Sequence, residues 1–171
     1  MNIISSNEED IQPIQDEFFY KYSEVNKKMY FTALSILKNF HDAEDAMQDT
    51  VIIAMKSYSK LLNKESFTCW IMKILINRCR RILFLKIRFL KEIEHNHKVE
   101  EHNLSDESII LKEAVLKLSY KYRVIISLRY FDDLSIKQIS NILEYPEGTV
   151  KAQLHRGIKK LKLVLGDDLN E

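Results

Sequence analysis

The sequence holds 171 residues, with only 3 Gly and 2 Pro against 46% hydrophobic and 30% charged residues, a balance that sets aside collagen-like, disordered and turn-dense all-β chains and favours helices. Its net charge of +1 conceals a segregation: residues 1–60 carry 6 bases and 10 acids, 61–91 carry 8 and 1, 92–107 carry 1 and 6, and 108–171 carry 11 and 8. Blocks of alternating sign suit a chain whose surfaces meet different partners, the basic ones matched to phosphate. No apolar run approaches the roughly 18 uncharged residues of a membrane span. The opening MNIISSNEED carries acids where a secretory signal has Lys or Arg, so a cytosolic protein is expected.

From Asp10 to Leu37 the residues Ile11, Ile14, Phe18, Tyr22, Val25, Met29, Ala33 and Leu37 recur at three- and four-residue steps, the period of an amphipathic helix or of two in sequence. Asp42 is the expected N-cap of the next helix, which runs to about Tyr58 with Ala43, Met47, Val51, Ala54 and Tyr58 inward. After the polar break Asn63–Glu65, Ser66 is placed to cap a long third helix reaching about Lys91, with Ile71, Ile74, Leu75, Ile82 and Leu85 toward the core. Cys69 and Cys79 sit ten apart on it, about 15 Å, too far for a disulfide. Ser66–Lys91 holds seven Lys or Arg and no acid.

Residues 92–107, EIEHNHKVEEHNLSDE, have little hydrophobicity and no sustained period, and read as a flexible linker. Ser105 is a plausible cap ahead of Ile109, Ile110, Ala114, Val115 and Leu118. Short helices are expected at about Lys121–Phe131, Ser135–Leu143 and Glu147–Leu165, the first pair parted by Asp132-Asp133-Leu134-Ser135 and the second by Tyr145-Pro146-Glu147-Gly148. The chain is therefore expected to be all-α: two small helical domains, 1–91 and 108–171, joined by a flexible acidic linker.

Two short helices joined by a tight turn, the second longer and basic outside, form a helix–turn–helix, whose second helix enters the major groove. On that helix Val150, Leu154, Ile158 and Leu161 fall on the inner side, leaving Lys151, His155 and Lys159 on another face with Ala152 and Arg156 beside them. Small Ala152 lets the backbone approach the groove, Arg156 is suited to a bidentate contact with guanine, and Lys151 or Lys159 to phosphate. The segment KYRVIISLRYFDDLS, followed by KQISNIL and PEGTVKAQLHRGIKKL, closely resembles region 4 of bacterial sigma factors of the extracytoplasmic-function group. Ser119, Gln138-Ile139-Ser140 and Tyr145 depart from that family's usual residues, and Ser140 at a helix-packing position is expected to loosen the turn slightly.

The resemblance demands region 2 in the first domain. DAEDAMQDTVIIAMKSY and FTCWIMKILINRCRRIL are similar to its 2.2 and 2.3–2.4 signatures and occur in the required order. Asp45, Gln48, Asp49 and Ile52 lie at i, i+3, i+4 and i+7, away from the apolar stripe, an acidic edge with apolar neighbours. The resemblance implies that this helix grips the clamp of core RNA polymerase. Trp70, Lys73, Asn77 and Arg81 share a face, with Arg78 and Arg80 beside it; aromatic, amide and guanidinium groups together suit unstacked single-stranded bases. The resemblance assigns this face to the promoter minus-ten element, with the loop Leu61–Glu65, including Leu61 and Lys64, helping to hold a flipped base.

His95, His97 and His102 with Glu94, Glu100 and Glu101 lack the Cys or helical His spacing of a metal site, and phosphate-loop, dinucleotide, serine-hydrolase and zinc-protease motifs are absent. The expectation is an initiation subunit with no catalytic residues, cofactor or metal, and without the additional domains of housekeeping sigma factors. Its partners are core polymerase, promoter DNA and an anti-sigma protein, and it binds promoter DNA poorly until polymerase holds it. The competing readings are a stand-alone helix–turn–helix regulator and a helical adaptor with no nucleic-acid role.

Overall fold

A computed structural model describes residues 8–89 and 108–168. The linker, the Ser105 cap and the His95/His97/His102 cluster lie outside the described residues, as does the side chain of Ile11. The described residues form seven α-helices: α1 (Glu8–Leu37), α2 (Phe40–Ser57), α3 (Phe67–Phe89), α4 (Ser108–Lys117), α5 (Tyr120–Ile126), α6 (Ile136–Leu143) and α7 (Glu147–Asp168). No strand occurs among them.

Helices α1 to α3 pack together around Phe18, Met29, Ala33, Ala43, Ala46, Tyr58, Ile71, Leu75 and Ile76. Helix α1 ends at Leu37 because Lys38 turns left-handed at φ 52°, its amide reaching the Leu34 carbonyl at 2.8 Å. The cap of α2 is Asn39 rather than Asp42: the Asn39 Oδ1 accepts the Asp42 amide at 2.9 Å. Asp42 instead sits in the first turn of α2 and pairs with Lys86 of α3, complementing the positive end of the helix. Likewise Asn63, not Ser66, opens α3 through a 3-10 turn over Lys64–Ser66, its side chain accepting the Glu65 amide at 2.9 Å. Inward positions largely follow the sequence, although Ile14 of α1 is 41% exposed. Ala46 and Thr50 are buried on α2 while Val51 is only partly so, and Leu85 of α3 is 40% exposed.

Helices α4 to α7 form the second unit. After Ile126 the chain widens into a single π turn over Ser127–Phe131, where one straight helix is expected from the sequence. Ser135 caps α6 in a reciprocal capping box with Gln138, at 2.8 and 3.2 Å. Gly157 lets α7 lie close on α5: a Cβ there would stand 3.0 Å from Ile126 Cδ1 and 3.3 Å from Tyr122 Cβ.

The two units are docked on each other. Every residue from Phe31 to Leu37 is buried, which one-sided packing of a helix cannot produce. The reason is that α2 and α3 cover one side of α1 while α5 and the π turn cover the other. One apolar cluster accordingly continues from α1–α3 into Val124, Ile125, Leu128, Leu134, Ile139 and Val150.

Candidate nucleic-acid interface

The helix–turn–helix is built from α6, a three-residue corner and α7. Glu144 closes α6 in the left-handed region at φ 61°, a position where glycine is the usual residue. The Tyr145 amide returns to the Ser140 carbonyl at 3.2 Å. The Ser140 hydroxyl donates to the Tyr145 carbonyl at 2.6 Å, so Ser140 ties the corner instead of loosening it. The Pro146 carbonyl accepts the Thr149 and Val150 amides at 2.9 and 3.1 Å, starting α7. Val150 and Gly157 are buried, with Leu154, Ile158 and Leu161 partly so. On the other side Lys151, Ala152, His155, Arg156 and Lys159 are all exposed. The structure thus brings these five onto one exposed face.

The face of α3 is less uniform. Lys73, Asn77 and Arg81 are exposed along it. Lys73 meets Glu144 of the helix–turn–helix corner at 3.4 Å, and Arg80 donates to the Leu143 carbonyl at 3.1 Å. Helix α6 therefore lies against part of this face. Trp70 is half-buried, its ring 5.8 Å from Phe67 and 6.2 Å from Tyr58, so one side of the indole serves the core. Arg78 points the other way, its Nε donating to Asp49 Oδ2 at 2.6 Å. In the loop before α3, Lys64 folds back over the Tyr58 ring and donates to the Tyr58 carbonyl at 3.2 Å. Leu61 is half-buried against the core, whereas Leu62 is fully exposed. The sequence gives no sign of which leucine faces solvent, because both lie in a short non-helical stretch without a period.

On α2, Asp45 and Gln48 are exposed and Ile52 and Ile53 are 52% and 44% exposed. Asp49 is the member of this edge that turns toward α3 and Arg78. Neither thiol of α3 is poised to react, since burial pushes Cys69 up and Cys79 up to about 12. No group of three His, Cys, Asp or Glu among the described residues is arranged to hold a metal ion.

Residues 22–85 match the family model for sigma-70 region 2 and residues 108–161 the model for sigma-70 region 4. The sigma factor SigV of Bacillus subtilis is 35% identical over 142 residues, 80% of this chain and 83% of SigV. The extracytoplasmic-function sigma factor SigW of the same organism is 29% identical over 170 residues, 90% of this chain and 91% of SigW. The chain belongs to the extracytoplasmic-function group of the sigma-70 family. As an RNA polymerase sigma factor it directs core polymerase to promoters and initiates transcription. The fold agrees with those of two solved proteins, the sigma factor RpoE and CnrH. RpoE, solved with the anti-sigma factor NepR from Bartonella quintana, superposes with a TM-score of 0.78 at 22% identity, covering 87% of this chain and 96% of RpoE. CnrH, solved with the cytosolic domain of CnrY, gives 0.63 at 18%, covering 90% of each. The region 2 match in this sigma factor removes support from the stand-alone regulator, and no helix of the described residues is long and apolar enough to cross a membrane.

Proposed function

We propose that three faces of this sigma factor divide the work of initiation. The exposed edge of α2, Asp45, Gln48 and Ile52 with Asp49 at its border, docks on core polymerase. The α3 face, Trp70, Lys73, Asn77, Arg80 and Arg81, together with the Leu61–Lys64 loop, holds the unstacked minus-ten strand, with Arg78 positioning α3 against α2. The α7 face, Lys151, Ala152, His155, Arg156 and Lys159, reads the minus-thirty-five duplex. Residues 1–91 and 108–171 act as the two functional domains with 92–107 as the acidic connector. The protein works in the cytoplasm without catalysis of its own, and an anti-sigma protein regulates it, as the complex of RpoE with the anti-sigma factor NepR suggests.

The observation that carries this reading is the α7 face: five exposed side chains, three of them Lys or Arg, opposite a buried Val150 and Gly157, on the second helix of a helix–turn–helix. The test is run-off transcription from genomic fragments with purified core polymerase, with and without this protein. Transcripts that depend on the added chain and share sequence near minus-ten and minus-thirty-five are expected. Absence of any chain-dependent transcript would remove the proposal.

A further inference from the structure

The contact between the two units contains a carboxyl group in an unusual position. Asp132, at the end of the π turn, is only 4% exposed. Its Oδ2 accepts the hydroxyl of Thr32 on α1 at 2.7 Å, while its Oδ1 is buried without a hydrogen-bond partner. The charged groups near it are otherwise engaged. Lys28 of α1 pairs with the exposed neighbour Asp133 at 2.9 Å, and Arg129 of the same turn donates to the Leu134 carbonyl at 3.3 Å. Among the described residues, no Lys, Arg or His forms an ion pair with Asp132.

We infer that the Thr32–Asp132 contact is an acid-tightened latch: it holds the second unit on the first, and with it α6 over part of the α3 face, more firmly as the medium acidifies. A buried carboxylate with one unpaired oxygen is expensive to keep ionised, whereas the protonated acid loses most of that penalty. Burial pushes the Asp132 carboxyl up to about 7, against the opposing pull of the Thr32 hydroxyl and Lys28 and with a further push from Asp133. With the units apart, Asp132 lies on a solvated turn and titrates near the ordinary value of about 3.9. Between about pH 4 and 7 the docked state therefore holds a proton that the open state has released, so docking strengthens as pH falls and weakens as it rises through 7. From pH 8 to pH 6 the docked-to-open ratio rises about tenfold. The consequence for DNA, through Lys73 at Glu144 and Arg80 at Leu143, rests on the proposed minus-ten role of α3. The latch itself does not.

The experiment is single-molecule energy transfer on the full chain, with dyes attached through genetically encoded azide residues at the exposed positions Lys56 and Lys162. It is run between pH 6 and 8 at the urea concentration that leaves half of the wild-type molecules open at pH 7. The expected wild-type result is the tenfold change in docked-to-open ratio with helical content unchanged. Asp132→Asn should lose the pH response and Asp133→Asn should keep it. Thr32→Val, which removes a hydrogen bond favouring the ionised form, should move the response to higher pH. The proposal falls if the wild-type ratio is flat across this range, if Asp132→Asn retains the response, or if the units part only when their helices melt. None of these readouts involves DNA, so they fail or succeed independently of the minus-ten assignment.

Discussion

Arg123 of α5 shows how one side chain joins the two units. It is buried, and its guanidinium reaches the Ser35 and Ile36 carbonyls at the end of α1 as well as the Leu118 carbonyl at 3.0 Å. The last carbonyls of a helix have no partner within it, and a cation there also meets the negative end of the helix. Replacing Arg123 by Met leaves these buried carbonyls unpaired and should cost about 2–3 kcal/mol, read as a lower urea midpoint with an unchanged slope. Arg123→Lys, without the planar fork, should lose part of that. The α2 edge offers a second pair of outcomes at this scale. Asp45→Lys should weaken binding to core polymerase without touching stability, because Asp45 is exposed and the change adds repulsion only at the interface. Asp49→Lys should weaken both, since Arg78 loses its acceptor, at about 0.5–1 kcal/mol for a partly exposed pair. Competition binding to core polymerase beside thermal melts separates the two, and unchanged core affinity in both variants would remove this edge as a contact.

The elements themselves were largely legible. The 3.6-residue period placed α1, α2, α3 and α7 because apolar spacing reports burial directly, and the corner before α7 was marked by Tyr145-Pro146. What went astray were ties between chemically equivalent caps. Asn39 and Asp42, or Asn63 and Ser66, all accept backbone amides well, and the choice is made by where the preceding segment ends, at left-handed Lys38 in the first case. The π turn at Ser127–Phe131 was not legible, since it leaves no gap in the apolar run. It matters because Asp132, read from sequence as part of the break between two helices, sits at its end against Thr32 of α1. The packing of α7 supplies a prediction at this scale. Gly157→Leu forces a side chain against Tyr122 and Ile126 and should destabilise the chain by about 1–3 kcal/mol through overpacking. Gly166, where an added Cβ would meet nothing within 4 Å, should instead gain up to about 0.5–1 kcal/mol on replacement by Ala. Equal melting temperatures for the two variants would contradict the close α5–α7 approach.

At the scale of the whole molecule the sequence showed both units but not their docking, because a surface buried against another domain has the same period as one buried within its own. The signal that was present was polar: Thr32 and Ser35 inside a fully buried run need partners from somewhere, and Thr32 finds its partner in Asp132, one hundred residues away. Docking gives the expected weak promoter binding of the free chain a structural basis beyond its acidic connector. The α7 face stays exposed, while Lys73 and Arg80 are held by the α6 end and the corner beyond it. On the proposed assignments, the free chain should bind a minus-thirty-five duplex through α7 alone. Arg156→Ala should then cost about 1–3 kcal/mol and relax one base position, and Lys151→Ala should lower the salt slope by about 1. Extending the DNA with an unpaired minus-ten strand should add little to the free chain. With core polymerase holding the units apart, the second contact becomes intramolecular and the same extension should raise affinity by roughly 10²–10⁴. Fluorescence anisotropy of both DNAs at several salt concentrations, with and without core polymerase, checks this. A large gain from the minus-ten strand in the free chain would show that α6 does not obstruct the α3 face.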